Sequence, residues 1–186
     1  MRTEQSADRV NGIELGVLQG TIDAMKDDPE LASCTFRASN KWVDAAHNRS
    51  TITGFYGAKQ EMRHKHKFEL DADEPPILAG QDEGANPVEH LLNALASCVT
   101  TSMVAHAAVR GIHIDELESE VEGDIDLRGF LGLEPDVPKG YTSIRVKFKV
   151  KTDEENLGRL KKLAEFSPVY NTLVNGVKVD IDIQPK

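Results

Sequence analysis

The sequence is poor in cysteine, in aromatic residues and in net positive charge. Its two cysteines, Cys34 and Cys98, are too few for a disulfide framework, and unpaired thiols suit a reducing compartment. The formal net charge of −9 repels phosphate backbones, which argues against nucleic acid as a partner. One basic run, residues 63–67, is typical of a solvated strand edge or loop. Aromatic residues make up only 5 %, but 39 % hydrophobic residues in a chain of 186 suffice for a core.

The sequence also lacks a long hydrophobic run. The longest uncharged stretch of apolar character, residues 91–105, is shorter than the roughly 18 residues that span a bilayer. The first residues include Glu4, Asp8 and Arg9 instead of the apolar centre of a signal peptide. These absences predict a cytoplasmic protein without a membrane partner.

The spacing of apolar residues predicts helices and strands in an order typical of an α+β fold. Residues 1–32 are predicted to be an N-terminal helical extension, with a helix over 11–26, and residues 33–186 to be one domain. Alternating patterns predict strands at 35–43, 50–56, about 66–70, 112–127, 141–151 and 177–183. A further amphipathic helix is predicted over 153–166.

The clearest element is a long helix that begins after Asn86. Asn86 is a good N-cap, Pro87 suits the first helical position, and Glu89 stands where a capping box requires a carboxylate. The helix should end near Arg110, because Gly111 is a natural C-terminal cap. Apolar residues cover every side of it, and one sheet buries only one face. We therefore expect a homodimer with these helices at its centre.

Cys98 lies in the middle of this helix, and residues three, four and seven positions away share its face. The apolar and hydroxyl side chains that would form a substrate pocket there are those of Leu91, Leu95, Thr101 and Ser102. No cation of the same helix stabilises a thiolate at Cys98, so a reactive Cys98 needs a cation from elsewhere, such as Arg49 or Arg37. Without one, Cys98 is an inert buried cysteine.

Three segments resemble the OsmC/Ohr family. Residues 86–98, Asn-Pro-Val-Glu-His-Leu-Leu-Asn-Ala-Leu-Ala-Ser-Cys, resemble its helix motif. Residues 166–169, Phe-Ser-Pro-Val, resemble its second-cysteine motif, and residues 123–129 resemble an OsmC-like branch. The resemblance implies an intertwined α+β homodimer, with antiparallel sheets packed around long central helices. It also implies reduction of organic hydroperoxides by a peroxidatic thiolate that becomes a sulfenic acid, without a cofactor.

Cys98 matches the peroxidatic position of the family, but the resolving position holds Ser167. Serine cannot form a disulfide, so the resemblance implies a single-cysteine branch in which an external thiol recycles the sulfenic acid. Cys34 could replace the resolving cysteine only within about 7 Å of Cys98, measured between Cα atoms.

The family also implies an arginine and a glutamate that polarise the thiol and the peroxide. Arg49, in the predicted first hairpin turn, matches the arginine best, and Arg37 is the weaker candidate. Val88 stands where the peroxidase motif has its glutamate. Glu89 follows one residue later, and it is either that catalytic carboxylate or only part of the capping box.

Other readings of the sequence stay open. His64 and His66, with His106 or His113, match no specific metal-binding pattern, and we expect no metal site. Ser167 lacks the glycines of a hydrolase nucleophile turn. The main alternative to a peroxidase is a non-catalytic binding module that holds a small apolar ligand in the dimer-interface pocket, with Cys98 only lining it.

Overall fold

The computed structural model describes residues 9–186 and contains both helices and antiparallel sheets, which confirms the predicted α+β class. Contacts divide the chain into two compact units. One is Glu14–Leu91, and the other is Leu92–Lys186 with the segment that ends at Ile13. The first eight residues of the predicted N-terminal extension lie outside the described part.

The unit Glu14–Leu91 is built on an antiparallel sheet. Strand β5 pairs with β3, β4 and β6, so it is the centre of this sheet. The first short hairpin is β1 Arg9–Val10 and β2 Ile13–Glu14, and all of it except Glu14 belongs to the other unit. The elements of the unit Glu14–Leu91 are then α1 Leu15–Asp27, a 3₁₀ turn Pro29–Ala32, β3 Thr35–Phe36, β4 Ser39–Asp44, β5 His47–Gly57, β6 Gln60–Ala72 and a 3₁₀ turn Pro76–Leu78.

The unit Leu92–Lys186 packs helices against a two-stranded sheet. Its elements are the greater part of α2 Pro87–Val109, β7 Glu116–Asp124, α3 Leu127–Phe130, β8 Ser143–Lys151, a 3₁₀ turn Glu154–Asn156, α4 Leu157–Ala164 and α5 Pro168–Asn175. The core is a cluster of buried apolar side chains, namely Leu95, Val99, Met103, Ala107, Ile112, Leu160 and Leu163.

Opposite charges fix the register of β7 and β8. The outer face of β7 is acidic and that of β8 is basic, with Glu120 bound to Lys149 at 2.9 Å and Glu122 bound to Arg145 at 2.7 Å. On the inner face, Val121 pairs with Val146 and packs against the core. A shift of one residue would expose the apolar face, so burial and charge specify the same pairing.

The first helix begins later than the sequence predicts. Asn11 and Gly12 have φ values of 52° and 79°, and this turn places a short hairpin before α1. The Asn11 side chain donates to the Ile112 carbonyl at 2.9 Å and accepts from the Ile114 N–H at 2.9 Å. A specific anchoring contact therefore replaces the first helical turn.

The predicted last strand is not formed by the single chain. Residues 177–186 belong to no helix or strand. Every second residue from Val177 to Ile183 is apolar, and these four side chains are 68–88 % exposed. The alternation that predicted a strand is present, but within the described chain this segment has no partner strand.

Helix α2 buries only one stripe of its surface, formed by Leu95, Val99, Met103, Ala107 and Ala108. By length and composition it could cross a membrane, since an 18-residue window has a mean hydropathy of 1.3. We expected no apolar stretch as long as the roughly 18 residues that span a bilayer, and this expectation was wrong. One such helix is weak support for a membrane segment, because the core helix of a water-soluble protein has the same composition.

Candidate active site around Cys98

Cys98 lies at the edge of the buried stripe of α2. Its thiol is free and half-buried, while the next residue, Val99, is 4 % exposed in the core. Within residues 9–186, no hydrogen bond or ion pair reaches the Cys98 sulfur. The helix therefore leaves the thiol partly exposed and, within the described residues, without a charged partner.

The four predicted pocket residues differ in burial. Leu95 is in the core, Ser102 is half-buried, and Leu91 and Thr101 are exposed. The face of α2 that carries Cys98 is thus only partly covered by its own chain.

Arg49 lies on β5 in an ion-pair cluster. It stands opposite Asp71 of β6, and its Nε and Nη2 donate to the two carboxylate oxygens at 2.8 and 3.2 Å. The His47 Nε2 lies 2.7 Å from the same carboxylate. Hydrogen bonds from Arg49 and then His47 lower the pKa of Asp71, and the bond to Asp71 raises the pKa of Arg49. The guanidinium is held in place by this carboxylate.

Asp71 and His47 were missed by sequence reasoning. They lie 24 residues apart in the chain and meet only because β5 pairs with β6. The carbonyl of Asp71 also lies 3.0 Å from the His90 Nε2 at the start of α2. To predict this cluster, one would need to know the register in which β5 pairs with β6.

Arg37, the other candidate cation, is bound elsewhere. Its two terminal nitrogens donate to the Glu61 carboxylate at 2.7 and 3.0 Å. The hydrogen bond raises the pKa of Arg37 and lowers that of Glu61. Both candidate arginines are therefore paired with a carboxylate of their own sheet.

Glu89 forms the capping box that the sequence predicts. Its carboxylate accepts from the Asn86 N–H at 2.9 Å, and the Asn86 side-chain oxygen accepts from the Val88 N–H at 2.9 Å. Two backbone donors at the start of α2 are satisfied in this way.

The loop before α2 is organised by a second carboxylate that the sequence did not reveal. Asp73 is 1 % exposed and accepts from the backbone N–H groups of Glu74, Gln81 and Glu83 at 2.8, 3.0 and 3.2 Å. Burial by itself would raise the pKa of this carboxyl, but the three donors hold the pKa below its usual value. A loop with several prolines and glycines is thereby given one conformation.

Ser167, at the resolving position, is fully buried and is the N-cap of α5. Its hydroxyl accepts from the Tyr170 N–H at 3.1 Å. An N-cap is a strongly preferred position for serine. The residue therefore has a structural role that needs no redox chemistry.

A cavity of about 450 Å³ opens on the core side of α2. Val99 and Met103 contribute to its wall from α2, whereas Cys98 and the four predicted pocket residues do not. The remaining lining is mainly apolar, from Val146, Phe148, Val150, Leu157, Leu160 and Ala164, with Lys161, Glu165 and Tyr170 as its polar members. This cavity lies beside the helix, and its wall is mainly apolar.

The histidines have separate environments. His64 lies between the rings of Phe55 and Phe68, while His106 stacks on Phe166 at 4.2 Å. Burial, and then the charge of Arg110, lowers the pKa of His106. In residues 9–186, no group of three or more metal-ligating side chains comes together.

The fold and the site together define an α+β protein with one free thiol at the middle of its longest helix. The family model for OsmC-like proteins matches residues 80–182, so the chain belongs to the OsmC-like protein family. This range includes α2, Cys98 and Ser167. A comparison with curated proteins found no match.

Solved structures support the same fold. The chain is similar to an OsmC-like protein from Mycoplasma pneumoniae, with 18 % identity, a TM-score of 0.56, and coverage of 77 % of this chain and 89 % of that one. An organic hydroperoxide resistance protein, OsmC, from Legionella pneumophila has 17 % identity and a TM-score of 0.53, with 75 % and 88 % coverage. An OsmC-like protein of unknown function from Vibrio cholerae has 14 % identity and a TM-score of 0.50, with 78 % and 94 % coverage.

Proposed function

We propose that this protein is a cytoplasmic, thiol-dependent peroxidase that reduces organic hydroperoxides with the single cysteine Cys98. The thiolate attacks the O–O bond of the hydroperoxide. A sulfur–oxygen bond forms, the alkoxide leaves and takes up a proton to become the alcohol, and Cys98 becomes a sulfenic acid. A first external thiol displaces water to give a mixed disulfide, and a second restores the Cys98 thiol and is released with the first as a disulfide.

The free, half-buried Cys98 thiol in the family's helix motif is the observation that carries this proposal. Its accessibility matters, because an oxidisable thiol must be reached by the peroxide and then by the reductant. The neighbouring apolar side chains favour organic over inorganic peroxides.

The need for an external thiol follows from Ser167. The resolving position holds this serine instead of a cysteine, and the serine is buried and caps a helix. The second cysteine, Cys34, belongs to the other unit, where its sulfur lies near Gly57. A reducing cytoplasm supplies low-molecular-weight thiols.

Within this proposal we assign to Arg49 the stabilisation of the thiolate. Asp71 fixes the direction of the guanidinium, and 48 % of the arginine side chain stays exposed. Glu89 was the alternative polarising carboxylate. Its bond to the Asn86 N–H supports a structural role instead.

Peroxide titration tests the proposal. Reduced protein is mixed with equimolar cumene hydroperoxide, and intact mass is followed alongside consumption of a dithiol. We expect wild type and the Cys34→Ser control to gain one oxygen atom or a thiol adduct at Cys98 and to turn over. The Cys98→Ser variant should do neither. A wild-type Cys98 that stays reduced at equimolar peroxide would end the peroxidase proposal.

We further propose that the protein acts as a homodimer. The four apolar side chains at Val177, Val179, Ile181 and Ile183 form an alternating exposed row that suits pairing with a second copy. The outer faces of α2 are likewise only partly covered. Light scattering at micromolar concentration should give the mass of two chains, and removal of residues 177–186 should give one. A wild-type monomer would contradict the proposal.

A non-catalytic binding module is the second candidate function, and the 450 Å³ cavity favours it. In that case an apolar ligand occupies the space beside Val99 and Met103, and the Cys98 thiol takes no part in any reaction. Binding of a fluorescent apolar probe that is unchanged in Cys98→Ser but lost in Met103→Glu, together with inert Cys98, would favour this second function over the first.

A further inference from the structure

Strand β6 contains a large bulge that is rich in basic residues and histidine. Ile52 pairs with Phe68 and Gly54 pairs with Arg63, so Thr53 of β5 stands opposite four residues of β6. These four residues are His64, Lys65, His66 and Lys67. A side chain at position 54 would collide with the carbonyl oxygen of Met62, so glycine is required for this close approach. Bulges of this kind re-aim side chains away from the regular pattern of a strand.

The bulge borders a concavity of about 580 Å³. Four Lys and Arg side chains and one carboxylate line it, which gives a formal charge of +3 on a chain whose net charge is −9. The charged residues are Arg37, Glu61, Arg63, Lys65 and Lys67, and the two histidines of the bulge add polar donors. The local charge is therefore opposite in sign to that of the whole protein.

Two of these cations are not neutralised. Glu61 is bound by Arg37, and Lys67 pairs with Glu69 at 3.0 Å. Arg63 and Lys65, by contrast, have no hydrogen bond or ion pair to any residue in the range 9–186. Their charges are free to meet a ligand.

One residue that lines the concavity, His64, packs against aromatic rings. The His64 ring packs against the Phe55 ring at 5.6 Å and the Phe68 ring at 5.3 Å, and Phe55 stacks on Phe36 at 5.0 Å. Aromatic contacts of this kind stabilise the conformation of the bulge at His64. A preformed site loses less entropy when a ligand binds.

We propose that this concavity is a binding site for a small phosphate-bearing molecule. The planar guanidinium of Arg63 matches two phosphate oxygens, and Lys65 adds a second charge. The volume of about 580 Å³ leaves room for a molecule larger than a single phosphate group. This site does not depend on the peroxide chemistry of Cys98.

Calorimetry with inorganic pyrophosphate as the probe, at low ionic strength and pH 7, tests the proposal. We expect one site per chain, and binding that is weakened at least tenfold in the double variant Arg63→Gln/Lys65→Gln. The matched control Lys139→Gln/Lys162→Gln removes the same charge from two exposed positions elsewhere, and should bind within about twofold of wild type. Circular dichroism checks that both variants are folded.

Further arms distinguish the sources of phosphate. Inorganic phosphate and a nucleoside monophosphate should compete with pyrophosphate, whereas vesicles with anionic phospholipid should not retain the protein. Equal binding by wild type and the Arg63/Lys65 variant would overturn the site. Equal weakening by both double variants would do the same, because it would reduce the effect to net charge. Retention on vesicles without pyrophosphate binding would replace the small molecule with a membrane surface.

Discussion

Polar side chains at the start of helix α2 are hydrogen-bonded, whereas within residues 9–186 the thiol in the middle of the helix is not. At the start, the polar side chains of Asn86, Glu89 and His90 are all engaged in hydrogen bonds. Eight residues beyond His90, the Cys98 thiol has neighbours with apolar or hydroxyl side chains and no bonded charge in the described chain. The chain uses its charges to fix the position of the helix, and leaves its one candidate nucleophile in apolar surroundings.

The groups that position helix α2 therefore differ from the groups that determine the reactivity of Cys98. The conformation of residues 71–91 depends on carboxylates such as Asp71, Asp73 and Glu89, which accept backbone or cationic donors. The reactivity of Cys98 depends on groups from outside its own helical turns. Substitutions at the helix start should therefore act mainly on stability, and substitutions near the thiol mainly on chemistry.

The substitution Ser167→Cys should have the largest chemical effect. It restores the resolving position of the family and costs the cap of α5, about 1 kcal/mol. After peroxide treatment we expect a disulfide between Cys98 and position 167, formed at least about tenfold faster than the adduct with an external thiol, because the second sulfur is then intramolecular. Free-thiol titration and a non-reducing gel measure it.

The control for that substitution is Ser167→Ala, which removes the same cap without adding a thiol. It should keep the wild-type dependence on external thiol. If Ser167→Cys formed no disulfide although Cys98 is oxidised, this position would not be the resolving position in this chain.

Removal of the Asp73 carboxylate should have the largest effect on stability. In Asp73→Ala the backbone donors of Glu74, Gln81 and Glu83 lose their acceptor, and we expect Tm to fall by on the order of 5 °C or more. The pKa of Asp73 is lowered in the folded state, so its contribution is present above the unfolded value near 4 and is lost as pH falls through the lower folded pKa. Melting curves between pH 7 and pH 3 show this.

Asp73→Asn is the matched variant, since it keeps the shape but not the charge. Its Tm should depend less steeply on pH below about 4 than that of wild type. Identical pH profiles for both proteins would mean that Asp73 does not contribute as described.

Neutralising Arg49 should have the next effect, on rate and not on fold. In Arg49→Gln, peroxide oxidation of Cys98 should slow by on the order of tenfold or more, because the thiolate loses its assigned cation. Stopped-flow oxidation under single-turnover conditions measures the rate. The matched control is Arg37→Gln, which breaks a similar exposed ion pair with Glu61 and should stay within about twofold of wild type. Equal rates for the two variants would remove Arg49 from the mechanism.

The sequence allowed the fold class and the long helix α2 to be predicted, because these depend on local signals. Helix α2 begins at Pro87 after its capping box and ends at Val109, near the predicted Arg110. The family motif at residues 86–98 could be read directly. Short-range patterns of this kind need no knowledge of strand pairing.

The cluster at Arg49 and the pinned loop at Asp73 could not be predicted in this way. The bond between Arg49 and Asp71 depends on the register of β5 and β6, and the contacts of Asp73 depend on a loop that returns to it. The predicted strand over 177–183 also depends on a pairing that the sequence pattern cannot reveal. Its alternation is clear, but a strand needs a neighbour, and none is present in the single described chain.

The smallest expected effect distinguishes the two roles considered for Glu89. If this residue only completes the capping box, Glu89→Ala should lower stability by about 1 kcal/mol and leave the rate of Cys98 oxidation unchanged. The matched control is Asn86→Ala, which removes the other half of the box and should cost a similar amount. Urea unfolding and single-turnover oxidation are measured on the same samples. If the oxidation rate fell in Glu89→Ala but not in Asn86→Ala, Glu89 would be a catalytic residue. The start of α2 would then contribute to the chemistry as well as to the placement of the helix.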